Sequence, residues 1–174
     1  MALCQTVVEH VPHADCPNMD NQSRSSGLYT ASSERLNSPV KVPVAVLADV
    51  IHLRDGLLFV LGGGVQRITY TALPAPLGRD LGLIIEMTPS ECDAAHQVRV
   101  VTTDTDGGIL AEQALQIVAA VPTGLDPGEP VVVSCAIRLG SVQVPAPGRY
   151  GIEVLLDGET RSSLGFRALL RSDA

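Results

Sequence analysis

The chain reads as all-β: an immunoglobulin-like or related antiparallel β-sandwich of about eight strands. Three observations lead there. From Pro43 onward, short apolar runs alternate with Gly, Pro and Asp punctuation. Asp-Gly pairs, a strong short-range hairpin signal, stand between β-prone runs at 55–56, 106–107 and 157–158. No long amphipathic helical stretch intervenes, and strands without helices bury their apolar faces by packing sheet on sheet.

The organising stretch is VAVLADVIHLRDGLLFVLGGG (44–64). Arg54-Asp55-Gly56 is expected to turn the chain between a first strand at about 43–53 and a second at about 57–61. Gly62, Gly63 and Gly64 then end the second strand. VQRITY (65–70) alternates and reads as a strand, and Leu-Pro-Ala-Pro (73–76) is a rigid connection. LGLIIEMT (81–88), broken by Pro89, and QVRVVTT (97–103) are the next strands. In ILAEQALQIVA (109–119), helix-favouring Ala, Glu, Gln and Leu compete with the turn that introduces the segment. The turn and the neighbouring strands favour β. A turn-rich loop (121–130) precedes the β-branched VVVSCAIRL (131–139). RYGIEVLL (149–156), Asp157-Gly158 and the run 159–170 form a closing hairpin. The three Asp-Gly turns are evenly spaced, but their flanks share β-character rather than residue identity, so they read as hairpins and not as a repeat.

The formal net charge is −7, and Lys41 is the only lysine. This balance disfavours nucleic acid and anionic membranes as partners, because both need a concentrated basic face. The aromatics are Tyr29, Phe59, Tyr70, Tyr150 and Phe166, with no Trp, so the core must be aliphatic and base-stacking platforms are disfavoured. No apolar run approaches the ~20 residues of a membrane span. The N-terminus lacks the basic and long apolar regions of a secretory signal. A cytoplasmic chain is the expectation, with Cys4, Cys16, Cys92 and Cys135 as thiols. Residues 1–40, rich in Ser and Asn toward the end and poor in aliphatics, read as a flexible leader. Residues 41–171 form the sandwich, and 172–174 are a tail.

Two resemblances sharpen the fold. Pro147-Gly148-Arg149-Tyr150, an alternating strand, an Asp-Gly turn and a last strand resemble the closing hairpin of immunoglobulin-like sandwiches. There a Tyr hydroxyl anchors a corner, a role that would fall to Tyr150. Leu47-Ala48-Asp49, Asp55-Gly56 and Leu61-Gly62-Gly63-Gly64 resemble the opening hairpin of an uncharacterised bacterial β-sandwich family, whose layout spans most of 43–170. That resemblance implies a fold and nothing catalytic.

Several residue sets invite a chemical reading. Gly62, Gly63 and Gly64 are candidate binding residues, since glycines admit close approach of a phosphate or a partner backbone. Val65-Gln66-Arg67 comes next, not the Lys-Ser/Thr of a phosphate loop, so a bend between strands is the simpler account. Asp104, Asp106 and Asp157 are the candidate metal ligands, with calcium the cation their oxygens suit. Leu115 stands where a calcium loop needs its Glu, and plain hairpin turns explain the aspartates more simply. Cys4, His10, His13 and Cys16 are zinc-compatible in type but not in spacing. Cys92 and His96 would make a nucleophile and base only if a third group oriented the imidazole.

The function expected is a non-enzymatic binding or assembly module without a cofactor. It would engage a protein partner or a second copy of itself through an edge strand or an aliphatic patch near 44–70. The alternative is a metal-dependent or hydrolytic enzyme using the turn aspartates and Cys92/His96. Because the leader holds little apolar material, removing residues 1–38 is expected to change stability by less than ~1 kcal/mol in comparative urea melts. A loss of several kcal/mol would show that the leader completes the fold.

Overall fold

The computed structural model describes residues 40–171. The expectations for the leader, including the Cys4/His10/His13/Cys16 set, and for the tail at 172–174 lie outside the described residues. Twelve strands and one 3-10 turn (Pro89–Glu91) make up the regular structure of those residues. In chain order the strands are β1 (Lys41–Ala48), β2 (Val50–Arg54), β3 (Leu57–Leu61), β4 (Arg67–Tyr70), β5 (Ala75–Pro76), β6 (Asp80–Met87), β7 (His96–Thr103), β8 (Ile109–Ile117), β9 (Val131–Arg138), β10 (Gln143–Val144), β11 (Gly148–Leu156) and β12 (Glu159–Leu170).

Two sheets face each other. One has the order β1-β6-β9 and the other β4-β12-β11-β7-β8, with the short pair β5/β10 beside them. Alternation dictates what fills the space between. Leu81, Leu83, Ile85 and Met87 of β6, and Val131, Val133, Cys135 and Ile137 of β9, point inward. They join Val98, Val100, Ile152, Val154 and Leu156 of the other sheet in one aliphatic cluster. A one-residue slip of register would turn each set out to water, which fixes the pairing. The contested segment 109–117 is a strand: β8 pairs antiparallel with β7 and buries Leu115 and Ile117. Burial overrides its helix propensity. The tyrosine corner is present. The Tyr150 hydroxyl donates to Ala146 O at 2.6 Å, and its ring stacks on Phe166 with centroids 5.1 Å apart.

Two findings differ from the sequence reading. The run 43–53 is not one strand. It breaks at Asp49, so β1 pairs with β6 while β2 leaves that sheet and pairs only with β3. The other is that β4 joins β12 in parallel, the single parallel pairing between the described strands.

The β2/β3 hairpin folds back over the outer face of the three-stranded sheet. The place is marked by Gly82 of β6, which is buried although it points away from the core. A Cβ there would sit 2.8 Å from Ile51 Cδ1 and 2.9 Å from Leu58 Cδ2, so the hairpin's inner side chains occupy that space. The hairpin's base is closed by the glycine triplet. Gly64 N–H and Val65 N–H both donate to Leu47 O, at 2.9 and 3.1 Å. Gly62 and Gly64 adopt φ of 65° and 81°, a conformation that side chains with a Cβ resist. Nothing lies within 4 Å of a Cβ built on Gly64, so a substitution there tests the dihedral alone. Gly64→Val is expected to lower stability by about 1–3 kcal/mol in urea melts. An unchanged midpoint would mean the left-handed backbone is not required.

Candidate functional site

The register of the hairpin sorts its side chains into two faces. The pairs are Val50↔Leu61, Ile51↔Val60, His52↔Phe59, Leu53↔Leu58 and Arg54↔Leu57. Asp55 and Gly56 close it with φ of 52° and 76°, the two left-handed residues of a tight type I′ turn. Ile51 and Leu58 lie on the face seated at Gly82. The opposite face presents Val50, Leu57, Phe59 and Leu61 to solvent at 37, 63, 52 and 69% exposure. His52 and Arg54 complete that face. Leu53 and Val60, on the inner face, are also partly open to solvent. Among the ribbon's residues the ionic groups are Arg54 and Asp55, paired at 3.4 Å near the turn. Single exposed apolar side chains are ordinary on protein surfaces; a contiguous row of four on one ribbon is not.

The candidate glycines sit at the base of this ribbon. Their conformations are accounted for by the closure just described. Beside Gly64 lies a cleft of about 220 Å³ between β1 and β12, lined in part by Ala45, Leu47, Val65 and Leu164 and by no titratable side chain.

The candidate metal ligands are not brought together. Asp104 and Asp106 stand in the turn after β7, while Asp157 packs against its first residues, His96 and Gln97. An eight-residue strand separates them, roughly 25 Å at the usual rise. Asp104 Oδ1 accepts the N–H groups of Asp106 and Gly108, at 3.0 and 2.7 Å, and so organises its own turn. Among the described residues no group of three or more His, Cys, Asp or Glu is placed to hold a metal ion.

Cys92 and His96 do not form a dyad. The Cys92 thiol donates to Thr88 O, and burial, with Asp93 and Glu91 nearby, pushes it up, away from the thiolate a nucleophile needs. His96 is buried with both ring nitrogens engaged elsewhere. Nδ1 lies 2.8 Å from Asp157 Oδ2, and Nε2 lies 3.0 Å from Glu91 O. Asp157 is thus the orienting group that sequence reasoning missed. Sixty residues separate the pair along the chain, and only the pairing of β7 with β11 brings them together.

A family model matches residues 43–169, from within β1 to within β12. The chain belongs to DUF6941, a family of unknown function. The DUF6941 match takes in both sheets and the β2/β3 hairpin. Among curated proteins none matches the chain. Part of the Pseudomonas fluorescens alkylpurine DNA glycosylase AlkC, solved bound to DNA containing an abasic site analog, superposes with a TM-score of 0.40 at 16% identity. The overlap covers 75% of this chain and 30% of that enzyme, and likeness at this level carries no functional argument. Among the described residues no helix is long and apolar enough to cross a membrane.

The His96 contacts carry a pH dependence. Glu91 O is a pure acceptor and Asp157 is a carboxylate, so the site calls for a proton on each ring nitrogen. Burial works against the charge. The hydrogen bonds to Asp157 and Glu91 O, with the negative charges of Asp157 and Glu91, outweigh it and raise the imidazole above its ordinary value. Stability from this contact is therefore complete below about pH 6.5 and is lost as pH rises through the higher folded-state value. Urea melts across that range are expected to show the loss in the native chain, and a flat profile for His96→Gln.

Proposed function

We propose that this DUF6941 chain is a non-enzymatic β-sandwich module that binds or assembles through the outer face of its β2/β3 hairpin. The observation that carries the reading is the exposed row Val50, Leu57, Phe59 and Leu61 on a ribbon already seated, by its other face, on the sandwich. Covering a side chain of this size is worth about 1.5–3 kcal/mol, so such a row is a ready source of binding energy. The acidic charge of the chain favours a protein partner over nucleic acid or an anionic membrane. A reducing, cytoplasmic setting suits the thiols Cys92 and Cys135. The enzyme alternative would need Asp104, Asp106 and Asp157, or Cys92 and His96, to act together; Asp104 and Asp157 are committed to turns at opposite ends of β7, and the Cys92 thiol and both His96 ring nitrogens are bonded to other groups.

The test is a photo-crosslinking amino acid at position 59 of the full chain, irradiated in the native cells. A specific adduct is expected, and it should disappear when Leu57 and Leu61 are both changed to Glu. No adduct from this position, or one indifferent to those changes, would overturn the reading.

A further inference from the structure

We infer that the occupant of the hairpin's outer face is a second copy of this chain, its hairpin stacked face to face on the first about a two-fold axis. This rests on the docking face proposed above. The segment LLFVL (57–61) is apolar at every position, the composition of a strand covered on both faces rather than one. The fold covers the Ile51 and Leu58 part of one face, at Gly82, and leaves the other face open.

Area decides whether a copy suffices. Val50, Leu57, Phe59 and Leu61 together expose on the order of 450 Å², within the range of a large single patch. Two such faces bring about 900 Å² out of water. The exposed His52 and Arg54, which complete the same face, carry the total past the ~1,000 Å² that a specific interface needs.

Charge points the same way. Copies of a chain with net charge −7 repel one another unless they meet through a neutral surface. The ribbon's only carboxylate, Asp55, is ion-paired with Arg54, so none of the chain's excess negative charge falls on it. A basic partner would find no unpaired carboxylate here to bind. Stacking is favoured over pairing two β3 edges, because edge pairing would join two apolar faces side by side and leave both in water.

Sedimentation equilibrium on the full chain tests this, with Phe59→Glu and Leu61→Glu as variants and a urea melt on each. The native chain is expected at twice its monomer mass. The variants should have a dissociation constant raised at least about tenfold, and the same unfolding midpoint as the native chain when both are melted at a concentration low enough for the native chain to be monomeric, since both side chains are exposed. If either acidic variant unfolds, Leu61→Gln gives the same readout more gently. A native chain that stays monomeric overturns the inference, and so does a dimer that survives the substitutions. A monomer that still yields a position-59 adduct with another protein overturns the second copy alone. A monomer with no adduct overturns the docking face as well.

Discussion

The corner at Asp49 is the constraint on which the rest of this molecule depends. One residue there takes the chain out of the three-stranded sheet and lays it across the sheet's outer face. The turn is held from several sides. Ile51 N–H donates to Asp80 Oδ2 at 3.0 Å, and Arg79 Nε lies 3.1 Å from Asp49 Oδ1. Arg79 O accepts from Leu139 N, so the start of β6 ties the corner to the segment after β9. From the other side, Leu47 O receives two N–H groups from the glycine-rich base of the hairpin. If β1 ran straight on into β2, Gly82 would lose the Ile51 and Leu58 side chains that now fill the space beside it.

That corner turns a two-layer sandwich into three layers on one side, and the third layer explains an odd burial pattern. In a two-layer sandwich the outer face of a sheet is normally polar. Here the outer positions of the β1-β6-β9 sheet include Val46, Gly82 and Ile84, which suit a covering layer. The hairpin supplies it, and a ribbon that covers must itself be apolar on the covering side. Its far side is largely apolar as well, which the needs of the sandwich do not require. That surplus is the face on which the proposed docking rests.

The His96–Asp157 contact shows how a catalytic-looking pair can be structural. An imidazole held by a carboxylate has the orientation of a general base, but its second nitrogen faces a backbone carbonyl inside the protein rather than a substrate. What the contact does is fasten the Thr88–Cys92 turn to the β11/β12 turn, where Asp157 also accepts Gln97 N–H at 2.9 Å. The proton it holds therefore bears on stability.

Local chemistry made most of the fold legible. Asp-Gly at 55–56 and 157–158 set hairpins where they were expected, because the conformation these turns need is written in two adjacent residues. Tyr150 found its corner because its carbonyl partner, Ala146, lies four residues away. The features that escaped are those whose cause is distant in sequence: Asp80 fixing the bend at 49–51, β12 capturing β4 in parallel, Asp157 reaching His96. The candidate site was legible as a region near 44–70 but not as a particular face, for a further reason. Periodicity identifies an apolar face when the opposite face is polar, and LLFVL has no polar face to mark the difference. Which of its sides is spent on the sandwich is decided by Gly82, a residue whose role is to leave space. The side left open is therefore defined by subtraction, after the hairpin has been seated, and no reading of the hairpin sequence alone can perform that step.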